Sequence, residues 1–373
     1  MSRGRVFVGA GLLGAVVVLQ ACTSLLGLEE LPLLSTDGAP SDVTTEGGAL
    51  DAFDASTDVG GDAAPADSGM VDTSGADVGS SALCSGTGPG ISDCAGESCC
   101  TSLPVAAGTF KRGNDPGTPA TIAAFRLDKY EITVGRFRRF VNAVVGGYRP
   151  APGSGKHTHL HAGQGLATAG GYESGWSDTW NTSLFATKAD WDAKAGLACN
   201  SFPTWTGGDD RRPINCIDWR QAYAFCIWDG GFLPSEAEWE YAAAGGTLQR
   251  KYPWGPEAPG ADALRAVYGC HHPTPGGTCT GVGNLQLVGA NPADGKGQYG
   301  QLGLAGNVAE WVLDLHGTYP ASCVDCTSSS GTSRVFRGGN FAFGATLLET
   351  GDRRFGVDTM TDDLLGARCA RVP

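Results

Sequence analysis

The chain has 373 residues, 41% of them hydrophobic and 17% charged, with a formal net charge of −13. The apolar share supports a core, which excludes a wholly disordered chain, and the acidic balance excludes a nucleic-acid binder of the usual basic kind. The charge is uneven: residues 1–22 carry +2 through Arg3 and Arg5, residues 23–80 carry −12 through nine Asp and three Glu, and the remaining 293 carry −3.

Arg3 and Arg5 precede an apolar run from Val6 to Leu19. The run is short for a membrane span and suits the hydrophobic core of an export signal. It ends in Leu19-Gln20-Ala21-Cys22, which resembles a bacterial lipobox. Residues 1–22 are therefore expected to be a lipoprotein signal peptide, with Cys22 the lipidated residue and the protein held on a membrane surface without spanning it. Thr23 after the Cys, in place of Asp, resembles the sorting pattern for the outer membrane or cell surface. Residues 23–80 are mainly Asp, Ala, Gly, Ser and Thr with one aromatic, Phe53. They cannot bury enough apolar surface to offset ordering entropy and read as a disordered acidic tether.

Twelve Cys remain after Cys22, and an even count in an exported chain argues for disulfides. Cys84, Cys94, Cys99 and Cys100 form a Cys-rich segment, residues 81–103, before a domain expected over 104–373. Cys323-Val324-Asp325-Cys326 and Cys270 with Cys279 allow a zinc site to be drawn, but an oxidising compartment favours two local disulfides.

Within the domain, Val105–Phe110 and Ala123–Leu127 read as short strands. Thr133 caps a helix whose apolar positions Phe137, Phe140, Val141 and Val144 follow helical spacing, with Gly146-Gly147 as its stop. Residues 148–212 are rich in Gly, Trp and polar residues and read as irregular packed loops. Asp218 with Gln221, and Ser235 with Glu238, are capping boxes that open two further helices. Residues 334–337 and 368–372 read as strands. Few regular elements, many Gly and nine Trp point to an α+β domain stabilised by aromatics and disulfides.

Several segments in order resemble one family. Phe125-Arg126-Leu127-Asp128-Lys129-Tyr130-Glu131-Ile132-Thr133 is similar to "x-F-x-I-D-x-Y-E-V-T", and Gly231-Phe232-Leu233-Pro234-Ser235-Glu236-Ala237-Glu238-Trp239-Glu240 to "G-R-L-P-T-E-A-E-W-E". Gly306-Asn307-Val308-Ala309-Glu310-Trp311 resembles "G-N-V-W-E-W", Arg337-Gly338-Gly339-Asn340 "R-G-G-S", and Gly366-Ala367-Arg368-Cys369 "G-F-R-C". The order and spacing resemble the formylglycine-generating enzyme, or sulfatase-modifying factor, family. That resemblance implies a variant of the C-type-lectin-like α+β fold with little regular structure.

The resemblance also implies sites. In the family the turn at Gly306, Val308 and Glu310 supplies calcium ligands, two carbonyls and a carboxylate, which suits a hard cation. Gly303 stands where a side-chain oxygen is usual, and Glu310 capping buried backbone is the open alternative. The family's copper(I) thiolates follow the "G-G-S" turn, where this chain has Phe343 and Leu348. Thiolates are the ligands that soft ion needs, so copper is not expected. Phe343, Leu348, Asp352 and Arg353 are the expected pocket residues, with Asp352 either orienting a substrate or pairing with an arginine. Glu236, Glu238 and Glu240 read as capping, dipole and surface or ion-pair acids rather than an acid/base set. His157, His159 and His161 alternate as a strand face would and offer a possible metal set, against an exposed loop as the plainer reading.

The expectation is a surface-anchored, non-catalytic binding or structural module that lacks the copper-binding Cys pair. The alternative is a divergent oxidoreductase of the family, formylglycine-generating or non-heme metal in type. Expected partners are the membrane surface and a peptide, glycan or protein ligand, with no nucleic acid.

Overall fold

The computed structural model describes residues 84–197, 199–260, 264–290 and 295–373. The signal segment, Cys22 and the tether lie outside the described residues. Strands β1 (Ser102–Val105), β2 (Gly108–Lys111), β3 (Pro119–Ile122) and β4 (Phe125–Asp128) lead into helix α1 (Val134–Val145). A β-ribbon of β5 (Ala167–Thr168) and β6 (Gly171–Tyr172) and the short helix α2 (Lys188–Trp191) interrupt a long irregular stretch before α3 (Trp219–Trp228) and α4 (Glu236–Ala243). The chain then forms β7 (Ala309–Leu315), β8 (Cys323–Val324), β9 (Arg334–Arg337), β10 (Arg354–Gly356), β11 (Leu365–Gly366) and β12 (Ala370–Arg371). The largest sheet has the order β10-β9-β7-β11; the others are β1-β4-β12, β2-β3-β8 and β5-β6. The α+β class with little regular structure is the one expected.

Helix starts follow the sequence because local side chains satisfy the orphan amides of the first turn. The Thr133 hydroxyl accepts from the Arg136 amide, and Asp218/Gln221 and Ser235/Glu238 form complete capping boxes. Each such cap stabilises its helix by about 1 kcal/mol. The expected Val105–Phe110 strand is instead two strands, β1 and β2, that pair with different neighbours, β4 and β3. Seven strands carried no sequence expectation, β3, β5, β6, β7, β8, β10 and β11, of which the seven-residue β7 is the longest. β7 is an inner strand of its sheet and is buried along all but its last residue, its acids Glu310 and Asp314 included, so neither a clean alternation nor an unbroken apolar run marks it in the sequence.

The main core gathers Phe137 and Phe140 of α1, Trp191 of α2, Phe225 of α3, Trp311 of β7 and the loop tryptophans Trp176 and Trp205. Phe137 stacks on Phe225 with ring centroids 5.8 Å apart, and Trp191 meets both Phe137 and Phe140 edge-on. The irregular stretch after α1 is thus a source of core side chains, as its Trp content suggested. All twelve described cysteines are paired: 84–100, 94–99, 199–216, 226–369, 270–279 and 323–326. The pairs 270–279 and 323–326 are the two local disulfides expected in place of a zinc site. Among the described residues no helix is long and apolar enough to cross a membrane.

Candidate functional site

Four residues were expected to share a pocket, and they go to different partners. Leu348 is 1% exposed in a cluster with Tyr252, Ala266, Tyr268 and Ala305. Phe343 is half-buried, and its backbone is tied to Gly269 and to the Asn340 side chain. Asp352 pairs with Arg354 at 3.1 Å, which takes the arginine alternative. Arg353 grips Glu236 through Nε and Nη2 at 2.8 and 2.7 Å and lies over the Tyr319 ring at 4.2 Å. Asp352 and Arg353 are thus both held in ion pairs, Arg353 with the buried Glu236 and Asp352 in a partly exposed pair with Arg354.

The expected calcium set is corrected. Gly306 and Val308 precede β7 as read, but the Glu310 carboxylate is 1% exposed and already taken. Arg368 donates to it through Nε and Nη2 at 2.6–2.9 Å, and Trp239 Nε1 donates at 2.7 Å. A calcium ion there would have to displace a buried guanidinium, and it needs six to eight oxygens. The residues present do not fit that ion, and the Glu310 carboxylate is bound by the Arg368 and Trp239 side chains rather than capping backbone. Beside this pair Glu131 is wholly buried, with burial first and Glu310 second pushing its carboxyl up to about 8. Its Oε1 has no hydrogen-bond partner, while Oε2 accepts from Asn307 Nδ2 at 3.1 Å.

The three glutamates at the start of α4 are all buried, which overturns the surface reading for any of them. Glu236 and Glu240 hold Arg337, and Glu238 holds His157. His157 is 0% exposed, not on an exposed loop. Its Nδ1 lies 3.0 Å from Glu173 Oε1 and its Nε2 3.0 Å from Glu238 Oε2. Burial alone would lower its pKa, but the Glu238 and Glu173 carboxylates outweigh it and raise it to about 10. The imidazolium is therefore the state at neutral pH, which carries no lone pair for a metal. His159 stacks on Phe232, and His161 bonds the Gly165 carbonyl and faces Tyr172. The three do not share a face, because His161 and Ala162 adopt positive φ of 45° and 55° and break the alternation.

Sequence reasoning missed a cavity of about 300 Å³ whose wall includes Glu173, Trp180, Trp219, Tyr223, Leu313 and Arg334. The Arg334 guanidinium lies 3.6 Å above the Trp219 ring centroid and donates Nη1 to the Leu313 carbonyl at 2.7 Å. Burial pulls its pKa down to about 10, so it stays charged at pH 7. No carboxylate lies within ion-pair distance of it among the described residues. Glu173, the acid of the same wall, is matched by His157 and by the backbone amides of His157 and Leu166.

Residues 92–373 match the sulfatase-modifying factor enzyme 1-like domain family. The mouse (Mus musculus) formylglycine-generating enzyme is 28% identical over 265 residues, 64% of this chain and 65% of that protein. The chain thus spans just under two thirds of that relative's length. The mouse "inactive C-alpha-formylglycine-generating enzyme 2" is 32% identical over 159 residues, 42% of this chain and 48% of that one. Among solved structures, PvdO from Pseudomonas aeruginosa superposes with a TM-score of 0.49 at 20% identity, over 77% of this chain and all of that one.

Proposed function

The chain belongs to the sulfatase-modifying factor enzyme 1-like family, and we propose that its domain is a non-catalytic binding module, exported and held at a membrane surface by a lipid on Cys22. The observation that carries this reading is the state of the thiols. Copper(I) oxidation of a substrate cysteine needs a pair of free thiolates, and every described cysteine is in a disulfide. The positions matched to the family's thiolates hold Phe343 and Leu348, carbon side chains with no affinity for the ion. A relative whose name records inactivity supports the idea that family members exist without the reaction. Six disulfides also suit an oxidising, extracytoplasmic site. The acidic segment 23–80 then serves as a spacer between anchor and domain, self-repulsion keeping it extended.

The test of the anchor is metabolic labelling with a radioactive fatty acid. The wild-type chain is expected to take up label and Cys22→Ser to take up none; an unlabelled wild type would refute the anchor. The test of the chemistry is incubation of purified full-length protein with copper(I), oxygen and a peptide bearing a sulfatase-type cysteine motif. No aldehyde is expected, and aldehyde formation would refute the non-catalytic reading.

A further inference from the structure

We propose that the cavity over Trp219 and Arg334 binds an anionic sugar unit, a uronate, within an acidic polysaccharide chain. This deepens the binding-module reading and rests on it. The wall supplies three kinds of contact, each with its own partner chemistry. Trp180 is the partly exposed aromatic of the wall, with a negative quadrupole that suits the positively polarised C–H face of a sugar ring, while the buried Trp219 and Tyr223 back it and Arg334 covers the Trp219 ring. Thr168, Ser174, Ser328 and Ser329 put small hydroxyl-bearing side chains round the rim, donors and acceptors matched to sugar hydroxyls. Arg334 supplies the charge.

Arg334 is what makes the ligand anionic. Arg136, Arg337, Arg353, Arg368 and Arg371 all have carboxylate partners within the fold. Arg334 has none; its Nη1 is used by the Leu313 carbonyl, and its Nη2 makes no hydrogen bond. A guanidinium largely removed from water, attracted by Asp358 and Asp314 but in ion-pair contact with neither, favours an incoming carboxylate through a charge-assisted hydrogen bond. The other charge on the wall, Glu173, is turned to the His157 imidazolium it shares with Glu238 and to the His157 and Leu166 amides, which lessens its repulsion of the ligand.

The shape favours a chain over a single small acid. A second cavity of about 450 Å³ adjoins the first and shares Thr168, Thr327, Ser328 and Ser329 with it. Neither its own lining nor the shared residues include a carboxylate, and hydroxyls dominate there. Successive sugar units would thus run from Trp180 and Arg334 along a hydroxyl-lined groove.

The experiment uses the full-length chain and titrates it with a galacturonate trisaccharide, a neutral galactose trisaccharide and a hexapeptide with a free C-terminal carboxylate. Tryptophan fluorescence and calorimetry report binding. The galacturonate is expected to bind saturably, more weakly as salt rises, and at least tenfold more tightly than the neutral sugar. Arg334→Gln is expected to lose that preference. Because Arg334 also packs on Trp219, a second variant, Ser329→Glu at the exposed rim, adds a repelling charge without touching the core; it too is expected to weaken galacturonate binding several-fold. Equal affinity for both sugars, saturable binding of neither, tight binding of the peptide alone, or wild-type affinity in both variants would overturn the proposal. Failure here leaves the copper assay untouched, and aldehyde formation in that assay would leave this titration untouched, so the two readings fail separately.

Discussion

Replacing His157 by Gln tests the buried charge arrangement behind the cavity wall. His157 is 0% exposed and bridges Glu173 and Glu238 at 3.0 Å on either side. The two carboxylates lift its pKa from 6.5 to about 10, and the same contact holds Glu238 below its ordinary range against the opposing effect of burial. A rise of that size in the folded state corresponds to about 5 kcal/mol between the two protonation states, and to about 4 kcal/mol of stability at pH 7. The sign follows from the direction. A histidine raised on folding contributes all of its stability below pH 6.5, and the contribution drains away as pH climbs through 10. Gln keeps the shape and a neutral hydrogen bond but not the charge, and leaves two buried carboxylates without a cation. Urea unfolding at a series of pH values is the assay. The gap between wild type and His157→Gln is expected to be several kcal/mol at pH 6 and to shrink steadily towards pH 10. A gap that stayed constant over that range would refute the charged-bridge account.

Three other perturbations read different parts of the same fold. The Cys226–Cys369 disulfide ties α3 to the C-terminal segment across 143 residues, so Cys226→Ser/Cys369→Ser is expected to lose about 5 kcal/mol in the chain-entropy picture, read as a lower urea midpoint. Glu310→Gln strips a buried guanidinium of its counter-charge and is expected to cost roughly 3–5 kcal/mol, while added calcium is expected to leave the wild-type melting temperature unchanged; a calcium-dependent rise would restore the metal reading. Glu131, raised by burial to about 8, stabilises the fold less and less as pH rises from 4.5 to 8, so Glu131→Gln is expected to be the more stable protein at pH 8 by a few kcal/mol and to lose that advantage near pH 4.

What the sequence disclosed was local. Thr133, Asp218 and Ser235 announce helix starts because a cap and its amide lie within three residues, and the disulfide load follows from cysteine number and compartment. What it concealed depends on residues far apart in the chain. His157 meets Glu238 across 81 positions, and Arg368 meets Glu310 across 58, so neither Glu310 nor the α4 acids reveal from their neighbours that they are buried ion-pair partners. The Gly306–Trp311 motif drew attention as a metal turn, which hid the inner strand that begins at Ala309. The cavity wall is assembled from loop residues 168–180, the start of α3 and the ends of β7 and β9, pieces with no shared sequence signal.

The central claim is that carbon has replaced sulfur where the family oxidises cysteine. Mass spectrometry of a sulfatase-motif peptide, after incubation with the purified full-length chain, copper(I) and oxygen, tests it most directly. The account predicts that the peptide mass stays that of the unmodified cysteine; turnover to the aldehyde, abolished by a copper chelator, would contradict it.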